Sequence, residues 1–127
     1  MPIVRIESSV PLAASARAAA LVLLAASVER GLGVRPPSEV RLRLVDVDPS
    51  TEVIYNGGGV TGKPWVVANA QILPGRSAET LEAFIASFSD DIALTFGVER
   101  THVRVLIEIV AKELWGIGGR SAALAAR

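Results

Sequence analysis

The chain has 127 residues, half of them apolar and a fifth charged, and its thirteen basic and thirteen acidic side chains cancel. That composition belongs to one ordered domain, or to two small repeats sharing a core, and not to a disordered chain. The balance of charge leaves no electrostatic footprint for nucleic acid or an anionic membrane, and the lack of cysteine excludes disulfides, zinc–thiolate sites and thiol nucleophiles.

The opening "MPIVRI" (1–6) places a proline before a β-branched run that predicts a first strand. It lacks a basic region followed by an apolar one, so a cytoplasmic location is expected. The stretch "AAALVLLAASV" (18–28) falls short of the roughly 20 apolar residues of a membrane span and is flanked by Arg17 and Glu29-Arg30. It predicts a helix over about 12–32, buried on most sides, as in subunit packing, and closed by Gly31 and Gly33. Pro36-Pro37 keeps the next segment extended, and "SEVRLRLVDV" (38–47) alternates as a strand does.

Glycines and Pro64 in "GGGVTGKPW" (57–65) break regular structure and mark a linker. A second β-branched run, "WVVANAQIL" (65–73), follows. Ser77 is the expected N-cap of a helix with Glu79 in its first turn. Leu81, Phe84, Ile85, Phe88, Ile92 and Phe96 recur at helical spacing until Gly97 ends the pattern. Asp90-Asp91 is expected on the solvated side of this helix. The alternation of "THVRVLIEIV" (101–110) predicts a last strand, with His102 a surface residue at its start. The glycines of "WGIGG" (115–119) fit a tight turn and lack the spacing of a phosphate loop.

The order is strand–helix–strand twice over. A Val-Arg pair recurs at 40–41 and 103–104, and each of those strands runs into a glycine cluster, "YNGGG" (55–59) or "WGIGG". We read a single domain of two repeats, 1–59 and 65–127, joined by the linker 57–65. Crossover connections make the strands of each repeat parallel. The expected fold is therefore α+β: a four-stranded mixed sheet with both helices on one face. Its uncovered face would carry Arg41, Arg43 and Val45 from one repeat and Arg104, Leu106 and Glu108 from the other. We expect that face to be largely apolar and covered by a homo-oligomer.

The segments "AQILPGRS" (70–77), "HVRV" (102–105) and "WGIGG" make the second half similar to 4-oxalocrotonate tautomerase over 66–126, and Pro2-Ile3, Arg41 and Gly57-Gly58 extend the match to the first half. The chain thus resembles a fused, double-length member of the tautomerase superfamily. The resemblance implies a tautomerase/MIF-like β-α-β fold assembled as a trimer. It implies an N-terminal proline as general base, which only Pro2, freed by removal of Met1, can supply. The corresponding place in the second half is Val66, in mid-chain. It implies Arg76 and Arg104 as substrate-binding arginines, with Arg41 the counterpart of Arg104, and Trp115 as the pocket aromatic. The first-half counterpart of Arg76 falls at Leu12 or Ala13, so that arginine is missing. Glu52 and Ile54 compete for the first-half aromatic position. Three sites per trimer follow.

A secondary amine is mostly protonated at neutral pH, but burial and nearby guanidinium groups (Arg41, Arg43, Arg76 or Arg104) favour its neutral form. Such a base can take a proton beside a carbonyl and return it elsewhere. Arginines clamp carboxylates and stabilise a developing enolate. The expected substrate is a small enol or keto acid of the 2-hydroxymuconate or phenylenolpyruvate type. No metal or organic cofactor is expected, and no nucleic-acid or membrane partner. Two alternatives stay open: a Pro2-dependent hydratase, dehalogenase or decarboxylase with Glu52 activating water, and a degenerate homo-oligomer without catalysis.

Overall fold

Alternation along the strands decides which way each face of the sheet looks. In the computed structural model, which describes residues 1–125, β1 (Ile3–Ser8) buries Val4, Ile6 and Ser8 and turns Ile3, Arg5 and Glu7 the other way. β5 (Val66–Ile72) does the same with Val66, Ala68, Ala70 and Ile72. With β2 (Arg41–Asp46) and β6 (Val103–Ile109) they form a sheet of order β2-β1-β5-β6. β1 is parallel to β2 and β5 to β6, while the two repeats meet antiparallel along β1 and β5. This is the expected mixed sheet. The end of the second repeat, Ala126 and Arg127, lies outside the described residues.

Both helices pack on the buried face. α2 (Ala78–Phe96) begins as expected, with the Ser77 hydroxyl accepting from the Thr80 N–H, and ends at left-handed Gly97. Phe84, Phe88, Ile92 and Phe96 are buried, and the rings of Phe84 and Phe88 stack with centroids 5.1 Å apart. Ile85 instead faces outward, one position off the stripe that the sheet can cover.

α1 (Ala14–Leu32) is only partly covered within the protomer. Only Leu24, Ser27, Val28 and Leu32 are buried, and Val22 is 71% exposed. A helix lying on one face of a single sheet has one apolar stripe to hide, and the rest stays open within the protomer. Gly31 belongs to the helix and serves its packing: a Cβ there would sit 2.6 Å from Cδ1 of Phe84. Gly33, left-handed at φ 65°, makes the stop. Asp91 also differs, because it turns toward α1 and accepts a 2.5 Å hydrogen bond from the buried Ser27 hydroxyl. Asp90 alone faces outward, paired with Arg100 at 3.0 Å.

The linker is more regular than its glycines suggest. β3 (Ile54–Asn56) and β4 (Gly59–Thr61) pair as a small hairpin. The second repeat ends in a similar one, β7 (Gly116–Ile117) and β8 (Arg120–Ser121), before α3 (Ala122–Ala125). Gly118 and Gly119, at φ 56° and 87°, supply the two positive dihedrals that a two-residue hairpin turn requires.

The uncovered face is less apolar than expected. Besides Arg41, Arg43, Arg104 and Glu108, β1 and β5 place Arg5, Glu7, Asn69 and Gln71 there. Arg5 pairs with Glu7 at 3.2 Å. The polar positions of the two central strands lie on the side away from the helices, so the face is a charged, hydrogen-bonding surface with Ile3, Val67 and Leu106 set into it.

Candidate active site

Because β1 and β5 run antiparallel, the start of β1 lies beside the end of β5. Ile3 pairs with Gln71 on one side and with Arg41 on the other. Pro2 is fully buried, and its carbonyl accepts a 3.0 Å hydrogen bond from the Arg41 N–H. The loop after β5 brings Arg76 to the same end. There its Nε donates to the Leu32 carbonyl at 2.9 Å and its Nη1 to the Leu73 carbonyl at 3.3 Å. The guanidinium thereby caps the C-terminal end of α1, where carbonyls are left over and a cation is favoured.

Trp115 closes this end from the other repeat. It is buried, and its carbonyl accepts from the Ala122 N–H at 2.7 Å, which ties it to the terminal hairpin and α3. A cavity of about 230 Å³ lies between Ile3 and Trp115, with Gln71, Val110 and Leu114 in its wall. The Met1 amine is held below its ordinary value, first by burial and then by the charge of Arg76. Pro2, the Arg41 backbone, Arg76 and Trp115 thus lie at one end of the sheet, with the Arg41 side chain in the groove of the open face.

Two predicted residues lie elsewhere. Arg43 stands opposite Arg5, further along β2, in a groove on the uncovered face that also holds Arg41, Asn69, Gln71 and Glu108. Arg104 is at the opposite end of the sheet. It pairs with Val67, which pairs with Glu7, roughly 17 Å along β1 from Pro2 at the usual rise of a strand. Its Nη1 donates to the carbonyls of Thr101 and Val103 at 2.8 and 3.1 Å. Glu52 lies with it, in a cavity of about 410 Å³ beside Trp65 and His102. A water-activating role for Glu52 next to Pro2 of the same protomer therefore fails on distance. His102 is half-buried rather than a surface residue, with its Nδ1 enclosed.

The sequence reading missed Gln71. Its Nε2 donates to Oε2 of Glu108 at 3.3 Å, and it lines both the Trp115 cavity and the groove on the open face. The available signal was strand alternation, which puts Gln71 on the uncovered side, directly across from the residue after Pro2. Among the described residues no three His, Asp or Glu side chains gather as metal ligands, and no helix is long and apolar enough to cross a membrane.

Similarity to known proteins follows the same lines. No family model matches the chain. Two curated relatives, 2-hydroxymuconate tautomerases of Stutzerimonas stutzeri and Pseudomonas putida, are each 41% identical over 56 residues, 44% of this chain and 89% of theirs. Among solved structures, Pt0534 inactivated by 2-oxo-3-pentynoate superposes with a TM-score of 0.84 at 26% identity, covering 98% of this chain and 99% of that one. A wild-type fused 4-OT that forms an asymmetric trimer gives a TM-score of 0.84 at 25% identity, with the same coverage of both chains.

Proposed function

The chain belongs to the tautomerase superfamily as a fused, 4-oxalocrotonate tautomerase-like isomerase, and from that premise we propose that it shifts a proton within small enol or keto acids, with the nitrogen of Pro2 as the base. The observation that carries this reading is the convergence at one sheet end of the start of β1, the anchored Arg76 and the cavity under Trp115. The substrate we assign is a conjugated enol diacid of the 2-hydroxymuconate type, the compound for which the curated relatives are named.

Removal of Met1 would turn the Pro2 nitrogen from an amide into a secondary amine with a basic lone pair. Burial and Arg76 lower the basicity of an amine at this end of the sheet, which favours the neutral form near pH 7. That nitrogen takes the proton of the enol hydroxyl. The electron pair re-forms the carbonyl, and the far carbon of the conjugated system recovers the proton from the prolinium. Nothing is oxidised or reduced.

Arg76 has two of its nitrogens tied to carbonyls, so its plane is fixed before substrate arrives. Its Nη2 makes no hydrogen bond among the described residues and is the group we assign to a substrate carboxylate. Trp115 supplies the apolar wall. Arg104 cannot reach Pro2 of its own protomer and joins the site from another copy in a trimer like that of the fused 4-OT. Arg41 and Arg43 contribute positive charge from the open face of the sheet.

The test is an intact mass on the natively produced chain together with turnover of 2-hydroxymuconate by Pro2→Ala. We expect a mass lacking Met1 and a loss of at least about a hundredfold in kcat. A chain that keeps Met1, or a Pro2→Ala variant with undiminished turnover, overturns the assignment.

A further inference from the structure

The cavity under Trp115 is almost wholly apolar. Ile3, Val110, Leu114, Gly116 and the Trp115 ring line it, and among the described residues Gln71 brings its only polar side chain besides the indole. A pocket of this make-up orients its ligand through the few polar groups it has. Strand register explains why Gln71 is there. It is the antiparallel partner of Ile3, the residue after Pro2, and like Ile3 it alternates away from the buried side of the sheet.

The amide is also held in one orientation. Gln71 pairs across the sheet with Glu108, and its Nε2 donates to Glu108 Oε2 at 3.3 Å. A carboxylate only accepts, so the NH2 group faces Glu108 and Oε1 is turned from it. Among the described residues Nε2 makes this hydrogen bond and no other. An amide nitrogen carries two hydrogens, and the second is left for a ligand.

We propose that Gln71 determines specificity in the Pro2 site, its second Nε2 hydrogen donating to the oxygen on carbon 2 of the substrate, with Glu108 as its positioning residue. The role rests on Pro2 being the base. As the enol hydroxyl gives up its proton, negative charge gathers on that oxygen before the carbonyl re-forms. A donor already aimed there holds it more strongly as the charge grows. The contact also selects. An acid without that oxygen leaves the amide hydrogen unpaired in an apolar pocket and binds less well. Gln71 thus separates 2-hydroxy and 2-oxo diacids from plain diacids of the same length.

Adipate and 2-oxoadipate are diacids of equal length that differ by this one oxygen. The chain has two tryptophans, so in a Trp65→Phe variant the fluorescence of Trp115 follows occupancy of the pocket. That chain should bind 2-oxoadipate about tenfold more tightly than adipate, the worth of one hydrogen bond. Adding Gln71→Leu should remove the preference by weakening 2-oxoadipate alone, and adding Glu108→Ala should reduce it. Glu108 is exposed, so its variant tests the contact even if Gln71→Leu does not fold. A parent chain without the preference, a Gln71→Leu variant that keeps it or weakens both acids alike, or an undiminished preference in Glu108→Ala overturns the proposal. The binding comparison needs no proton transfer, and turnover in Pro2→Ala reports separately on the base, so either can fail without the other.

Discussion

Arg76 donates from Nε to the carbonyl of Leu32 at 2.9 Å, which fastens the loop after β5 onto the last residue of α1. A side chain of the second repeat is thus oriented by the helix of the first. The link fixes the arginine beside the chain start, where its charge, after burial, lowers the basicity of the Met1 amine.

Replacing that charge should be visible in the pH dependence of turnover. The base acts in its neutral form, so kcat/KM rises with pH as the amine loses its proton. The Met1 amine, one residue before Pro2, is held down by burial first and Arg76 second, and the same two causes are expected to act on a Pro2 amine freed by Met1 removal. In Arg76→Ala the rising limb should move to higher pH, because the neutral amine then appears later. At pH 7 kcat/KM should also fall by about tenfold to a hundredfold from the lost carboxylate contact. A pH–rate profile of the two proteins checks both. An unmoved limb would show that Arg76 does not act on the base.

Pro2 and Arg104 lie at opposite ends of one protomer's sheet, so the proposed site, which uses both, draws them from different chains. Pro2→Ala and Arg104→Ala homo-oligomers should each be poorly active. Unfolded together and reassembled, they should regain activity that neither parent has, since mixed assemblies contain sites with an intact Pro2 from one chain and an intact Arg104 from the other. Rates that remain at the parents' level after subunit exchange, followed by native mass spectrometry, would place Arg104 outside the site.

Gly31 of α1 packs against the Phe84 ring of α2. An alanine there gains up to about 1 kcal/mol of helix propensity, but its methyl would stand 2.6 Å from Cδ1 of Phe84. Phe84 is stacked on Phe88 and fully buried, so its ring has little room to retreat. Overpacking of this kind costs about 1–3 kcal/mol, and the net effect of Gly31→Ala should be a loss of stability. Urea denaturation of the two proteins gives the sign. A higher midpoint for the variant would mean that the helices separate at little cost.

Local signals along the chain specified the two strand–helix–strand repeats. The β-branched runs at 2–6 and 65–73, the alternation in 38–47 and 101–110, the periodic aromatics of α2 and the glycines after each helix are local signals, because each follows from backbone geometry and one buried face. The resemblance of "PGRS", "VRV" and "WGIGG" placed the chain in its family. What the sequence could not decide was which residues share an end. Pro2, Arg76, Trp115 and Arg104 looked like one set on the page, and the antiparallel contact of β1 with β5 sent Arg104 to the other end. Strand direction is a property of the sheet and not of any one segment. The same holds for Gln71, Asp91 and His102, whose surroundings come from other strands or the facing helix. Only the tertiary structure divides the molecule into an end built around Pro2 and an end built around Trp65, because the repeats share one fold and differ in what their antiparallel meeting brings together.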